Sequence, residues 1–181
     1  IGQALARSGD TYGILALVLP WGLWLLKEGH RAAFWHLTAG LVGIALLNTL
    51  GKTLIGRERP DLPAHLVDSF AYPSAHVSAT VVVVGLAAAF IGQEVPRHRG
   101  HGVYWVAILM TMLMASSRLV IGVHWFSDLV GGALLGLVVC ALVRLSWQES
   151  HREPLSPCPA AWLAGASLIL VAARLVWLPP I

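Results

Sequence analysis

Apolar runs alternate with short polar segments along almost the whole chain. The runs fall at 11–26, 32–50, 76–92, 103–116, 125–145 and 160–178. An α-helix needs roughly 17–25 mainly apolar residues to cross a bilayer. The pattern therefore predicts an all-α, integral membrane bundle of six transmembrane helices, with some spans at the short end. Pro20 falls inside the first run and predicts a kink there. Residues 1–10 are mixed and polar and read as an interfacial helix. The polar connections are 27–31, the long stretch 53–75, a basic loop over 93–102, the segment 117–124, and 148–159. Trp105, Trp125, Trp147, Trp162 and Trp177 fall near the predicted span ends, where amphipathic rings anchor at the interface. Gly132 and Gly136 form a small-xxx-small pattern in the fifth run. It would let another helix approach closely, or would serve as flexible apolar filling.

Composition strengthens the membrane reading. Of 181 residues, 57% are hydrophobic and only 12% are charged, and the mean hydropathy is +0.73. So little charge would hardly cover the surface of a soluble domain. The length suits one domain over 1–181. The chain starts at Ile1 without a methionine, so it reads as a trimmed product or a piece of a longer polypeptide. The net charge of +3 is small and the basic residues form no stripe, which excludes nucleic acid as a partner. Cys140 and Cys158 read as free thiols, with no disulfide or metal framework.

Six spans divide the polar segments between two membrane faces. One face carries the N-terminus, 51–75, 117–124 and the C-terminus. The other carries Lys27, Arg31, Arg97, Arg99, Arg144 and Arg152. Once the basic residues assigned to chemistry are set aside, the second face is the more positive. That places it in the cytoplasm and the first face outside.

Three polar clusters gather on the first face. They are Lys52 to Pro60 after the second run, Tyr72 to His76 before the third, and Ser117 to Asp128 between the fourth and fifth. Lys52, Arg59 and Arg118 repel one another unless an anion sits among them, and phosphate suits forked arginine donors. Ser74 and backbone amides at the third helix N-terminus add donors where the helix dipole favours an anion. His124 and Asp128 are four residues apart, which on a helix puts them on one face. A carboxylate beside an imidazole sets its tautomer and raises its basicity. Of the two histidines, one can attack phosphorus and the other can protonate the leaving oxygen. For the 117–128 stretch taken alone, a charged helix cap is an equally good account.

These three clusters, in this order and spacing, resemble the K-x6-RP, P-S-G-H and S-R-x5-H-x3-D motifs of the type 2 phosphatidic acid phosphatase superfamily. That superfamily also contains the vanadium haloperoxidases. The resemblance spans the second to the fifth run directly. It implies a membrane phosphatase with His124 as nucleophile, forming a phosphohistidine. It implies that Asp128 orients His124, that His76 is the general acid, and that Lys52, Arg59 and Arg118 bind the phosphoryl oxygens. Ser74 and the amide of Ala75 would assist, and the family's reaction needs no metal and no cofactor. Ala75 stands where the family usually has glycine. It would be strained at positive φ and harmless in a first helical turn.

The implied substrate is a membrane lipid phosphate or diphosphate, met within the lipid bilayer. Undecaprenyl diphosphate, phosphatidylglycerol phosphate, phosphatidic acid and lipid A phosphate all fit motifs that read only the phosphate. A phosphotransferase using the same histidine and a non-catalytic phospholipid carrier are the competing classes. An intact His76, His124 and Asp128 argue against the carrier. Outside the motifs, His36 reads as an interfacial or bundle-facing histidine, and His30, His98, His101 and His151 as solvated. His65 reads as a solvated loop residue before a substrate contact. Asp61, Asp68 and Arg57 either shape the mouth of the site or keep its loop wet. Asn48 and Thr49 either support Lys52 or pack between helices.

Overall fold

The structure, a computed structural model, describes residues 10–60, 69–94, 96–149 and 160–177. They form six α-helices, numbered here α1 Thr11–Lys27, α2 Arg31–Ile55, α3 Ala75–Glu94, α4 Arg97–Val120, α5 Phe126–Glu149 and α6 Ala160–Trp177. The expected all-helical membrane bundle is found. By length and composition, four helices suffice to cross a membrane: Arg31–Ile55, Ala75–Gly92, Gly100–Val120 and Phe126–Glu149. α1 and the apolar part of α6 are shorter, so the expected six spans divide into four long and two short helices.

Several helices run beyond their apolar runs, because a helix ends where its backbone is stopped and not where its side chains turn polar. α2 continues past residue 50 until Gly56 adopts the left-handed conformation, φ 59°, and its N–H closes on the Lys52 carbonyl at 3.0 Å. Lys52 thus rides on the last turn of α2. The expected basic loop over 93–102 is largely helix, since α3 ends at Glu94 and α4 begins at Arg97. α4 likewise carries Ser117 and Arg118 in its last turn, before Gly122 turns the chain at φ 79°.

α3 is the central helix. It packs against α1, α2, α4 and α5, and 50% of its span is buried within the protein, against 22–28% for the other three long spans. Its sequence is apolar on all sides and rich in Val and Ala, as a fully surrounded helix requires. Val82 and Leu86 of α3 meet Ile44 of α2 and Val139 of α5 in the main core. α1 and α6 form a peripheral pair, in which Ser167 Oγ donates to the Leu17 carbonyl at 2.7 Å. Leu19, Leu46, Leu134, Leu142 and Leu168 face outward, which suits hydrocarbon surroundings.

The Gly132–Gly136 pattern is a helix contact and not filling. A Cβ on Gly132 would stand 2.6 Å from the Ser74 carbonyl oxygen, and one on Gly136 would stand 2.7 Å from Val81 Cβ. This closeness sets the N-terminus of α5 beside that of α3. Trp147 is not an interfacial anchor: it is buried between His36 and Phe90, at ring distances of 5.2 and 5.1 Å. Trp105, Trp125 and Trp162 are exposed. His36 is bundle-facing, with Nε2 3.2 Å from Ser146 Oγ. His30 is not simply solvated: it stands at the N-cap position of α2, without a side-chain cap bond, and its ring lies 5.6 Å from that of Trp24. Cys140 is a free thiol. The expected interfacial helix over 1–10, apart from Asp10, lies outside the described residues. So do Asp61, His65, Asp68, His151, Arg152, Cys158 and the side chains of Arg97, His98, Arg99 and Trp177.

Candidate active site

The ends of α2, α3, α4 and α5 meet at one end of the bundle, and the chemistry-bearing residues lie there. Lys52 comes from the last turn of α2 and Arg118 from the last turn of α4. Ser74, Ala75 and His76 stand at the start of α3. His124 occupies the turn between α4 and α5, and Asp128 the first turn of α5. Arg59 comes from the segment after α2. One backbone bond seals the junction: the Ser74 N–H donates to the Asp128 carbonyl at 3.0 Å.

His124 and Asp128 are neighbours, but not on one helix face as their spacing suggested. α5 starts at Phe126, so His124 lies before the helix. Asp128 is the third residue of the helix and reaches back to cap it, Oδ2 accepting the Trp125 N–H at 2.8 Å. That backward reach brings Oδ2 to 3.5 Å from His124 Nδ1. The capping role and the pairing role considered for this stretch are therefore one arrangement.

The other ring nitrogen settles the tautomer. His124 Nε2 lies 3.2 Å from Arg59 Nη1, and a guanidinium only donates. Nε2 therefore accepts from Arg59, which leaves the proton on Nδ1; that N–H makes no hydrogen bond, with Asp128 Oδ2 standing 3.5 Å away. Burial pushes the His124 imidazole far below its ordinary pKa, to about 2, and the charges of Arg59, Arg118, Lys52 and His76 push the same way. A neutral ring is the form a nucleophile needs, with its lone pair free once Arg59 turns to an anion.

Arg59 meets His124 Nε2 directly, and Lys52 and Arg118 are near enough to act on the charge of the ring. Arg59 is fixed by the Ser69 carbonyl at 2.8 Å, the Val123 carbonyl at 2.9 Å and the Phe70 carbonyl at 3.2 Å. Lys52 Nζ donates to the same Phe70 carbonyl. Arg118 is buried, and its Nε has no hydrogen-bond partner. Ser74 is fully buried, and its Oγ also lacks a partner. Buried donors left unpaired are rare, because each forfeits its solvation. An anion held among Ser74, Arg118, Arg59 and Lys52 would satisfy them. His76 is half-buried on the first turn of α3, near enough to act on the charge state of His124. Ala75 opens α3, and among the described residues no non-glycine has positive φ, so alanine sits there without strain. Among the described residues, no three His, Cys, Asp or Glu side chains are grouped to hold a metal ion.

Arg57 is the residue that sequence reasoning undervalued. It does not merely wet the loop: its Nη1 donates to Asp128 Oδ1 at 3.0 Å and to Ser127 Oγ at 2.6 Å. The available signal was alternation, since residues two apart in a non-helical stretch can share a side, and Arg57 and Arg59 are two apart. Asn48 does not touch Lys52 but pairs with Ser78, its Nδ2 donating at 2.8 Å. Thr49 bonds back to the Ala45 carbonyl at 3.0 Å.

Known proteins with this architecture bear on its meaning. The crystal structure of a transmembrane PAP2-type phosphatidylglycerolphosphate phosphatase from Bacillus subtilis superposes with a TM-score of 0.74 at 26% identity, covering 84% of this chain and 78% of that one. Phosphatidylglycerophosphatase B of Bacillus subtilis (strain 168) is 36% identical over 102 residues, or 55% of this chain and 50% of that protein. Decaprenylphosphoryl-5-phosphoribose phosphatase of Mycobacterium tuberculosis (strain ATCC 25618 / H37Rv) is 32% identical over 110 residues, or 58% of this chain and 56% of that protein. The chain thus spans about half the length of these two relatives. The sequence model of the PAP2 superfamily matches residues 33–152, from the start of α2 to just past α5. That interval contains all three clusters and every residue of the site, and the chain belongs to the PAP2 superfamily.

Proposed function

We propose that this chain is a membrane phosphatase for lipid phosphates or diphosphates, working through a phosphohistidine on His124. The observation that carries the proposal is His124 set between Arg59 and Asp128, on the same end of the bundle as two buried donors without partners, Ser74 Oγ and Arg118 Nε. Lys52, Arg59, Arg118, Ser74 Oγ and the Ala75 N–H would receive the phosphoryl oxygens. Nε2 attacks phosphorus and the bond to the leaving oxygen breaks. His76 protonates that oxygen. Asp128 holds Nδ1–H and stabilises the positive ring as it forms. In the second half His76 takes a proton from water, the water oxygen attacks phosphorus, the N–P bond breaks, and phosphate leaves.

Two observations support a lipid as the bearer of the phosphate. A cavity of about 380 Å³ lies between α2 and α5, lined by Leu50, Leu54, Tyr72, Pro73 and Leu134. It adjoins the turn that carries Lys52 and suits a hydrocarbon chain. Both relatives are named for phosphatases of lipid-linked phosphates. Phosphatidylglycerol phosphate therefore heads the candidates, ahead of undecaprenyl diphosphate, phosphatidic acid and lipid A phosphate. The balance of basic residues supports an active site facing the periplasm or exterior of an inner membrane.

The test is phosphate release from this panel in detergent with EDTA present, for the native chain and His124→Ala. Turnover that persists with EDTA and vanishes in the variant supports the proposal. Unchanged turnover in His124→Ala overturns it. Transfer to an added acceptor without phosphate release would make the enzyme a phosphotransferase on the same histidine.

A further inference from the structure

We infer that Arg57 is a positioning residue, which holds the Asp128 carboxylate in the orientation that aims and charge-stabilises His124. The inference rests on the phosphohistidine reading above. Among the described residues, the Arg57 side chain bonds to Asp128 and Ser127 and to none of the groups assigned to the phosphate.

The Asp128 side chain is completely buried. A carboxylate there persists as an anion only with a charged or multiply donating partner. Its two oxygens have separate duties. Oδ2 accepts the Trp125 N–H at 2.8 Å and faces His124 Nδ1 at 3.5 Å. Oδ1 accepts from Arg57 Nη1 at 3.0 Å. Tilting the carboxylate out of this plane weakens both bonds at once. Arg57 is itself held at several points. The same Nη1 donates to Ser127 Oγ at 2.6 Å, and the guanidinium carbon lies 5.4 Å from the centre of the Trp125 ring. Its carbonyl accepts the Ala71 N–H at 2.7 Å, and the neighbouring Glu58 carbonyl accepts the Trp125 indole N–H at 3.1 Å.

Charge explains why a dedicated arginine stands there. Arg59 stands on the other side of His124, and Lys52 and Arg118 are near enough to act on its charge. If one of them also had to neutralise Asp128, it would be drawn away from the phosphate. Arg57 gives Asp128 its own counterion and leaves the remaining cations for the substrate. The same loop thus sends Arg59 to the Nε2 side of the imidazole and Arg57 to the carboxylate behind Nδ1.

The test measures kcat, KM and vanadate inhibition for Arg57→Ala and Arg57→Lys, beside the native chain and His124→Ala. In metal sites, loss of the partner that orients a ligand lowers activity about 10- to 100-fold, and Arg57 acts on Asp128 in the same indirect way. Arg57→Ala is expected to lower kcat by that range, with KM and the vanadate inhibition constant within about threefold of native. Arg57→Lys, or guanidinium added to Arg57→Ala, should recover part of the loss. A merely structural arginine would give neither the split nor the rescue. Native kcat in Arg57→Ala overturns the inference. So does a loss of vanadate affinity equal to the loss in kcat, which would make Arg57 a phosphate ligand. If Arg57→Ala is not recovered folded, Arg57→Gln replaces it: a lowered kcat with native vanadate affinity supports the inference, and native kcat overturns it. Turnover that survives His124→Ala defeats the phosphohistidine reading instead, and shows itself in that variant alone.

Discussion

Among the described residues, two arginine–aspartate pairs tie this bundle together, and they are built nearly alike. At the site end, Arg57 meets Asp128 at 3.0 Å; in the α1–α6 pair, Arg174 meets Asp10 at 3.0 Å. Each aspartate also caps a helix. Asp128 accepts the Trp125 N–H at 2.8 Å, and Asp10 accepts the Gly13 N–H at 2.7 Å. Each guanidinium lies over an aromatic ring, Trp125 at 5.4 Å and Tyr12 at 5.7 Å. The burial is reversed. Asp128 is 0% exposed and Arg57 37%, whereas Arg174 is 4% exposed and Asp10 23%. Where the arginine is the buried partner, the pair joins two helices. Where the aspartate is the buried partner and an imidazole stands 3.5 Å beyond it, the pair aims a side chain. An Arg–Asp pair is a general fastening, and its neighbours decide whether it serves packing or chemistry.

The largest effect should come from the imidazole. His124→Ala should lower kcat by at least about 10⁴-fold, into the background of phosphate release, while the thermal midpoint in detergent changes little. Asp128→Asn should follow, at about 10³- to 10⁴-fold in kcat, because an amide favours the wrong tautomer of His124. The matching change at the other pair, Asp10→Asn, keeps a good cap residue and should leave kcat at the native value. Equal kcat losses in the two Asn variants would break the comparison.

A smaller effect is expected from Arg174→Met. A hydrogen bond to a charged group contributes about 1.5–3 kcal/mol, and the variant should melt earlier in detergent by a corresponding amount. Its kcat and KM should match the native enzyme. A fall in kcat at native stability would show that the α1–α6 pair reaches the chemistry.

The smallest effect is the pH dependence of stability. His124 is depressed in the folded protein, to about 2, against an ordinary value near 6.5. Above pH 6.5 the ring is neutral whether the chain is folded or not, and its contribution is flat. Below pH 6.5 the unfolded chain takes up a proton that the folded site refuses. Stability should therefore fall with pH, by up to about 1.4 kcal/mol per unit from this one group. Thermal midpoints from pH 7 to pH 5 should fall more steeply for the native protein than for His124→Gln. Parallel profiles would mean that the ring is protonated in the folded state.

Much of this was readable before any coordinates. Helix number followed from apolar runs, because a backbone in hydrocarbon must satisfy its own hydrogen bonds. Lys52, Arg59, Ser74, His76, Arg118, His124 and Asp128 could be grouped from three motifs, because each motif adjoins the end of an apolar run. Helix limits were less legible. Gly56 ends α2 through a left-handed backbone, and residues 97–102 are helical despite their polarity. The burial of Trp147 depends on Phe90 and His36, which lie far from it in the chain.

By itself, then, the sequence determined the membrane helices and the inventory of reactive groups, since both follow from residue type and near spacing. The tertiary structure decided who faces whom. It placed His124 outside the helix that Asp128 caps, turned Nε2 toward Arg59, and gave Asp128 a counterion in Arg57. Those outcomes depend on bonds between residues 64 to 71 apart in the chain. They also depend on glycines that let α5 approach α3 until the Ser74 amide reaches the Asp128 carbonyl. No local rule sets such a distance, because packing of the whole bundle fixes it.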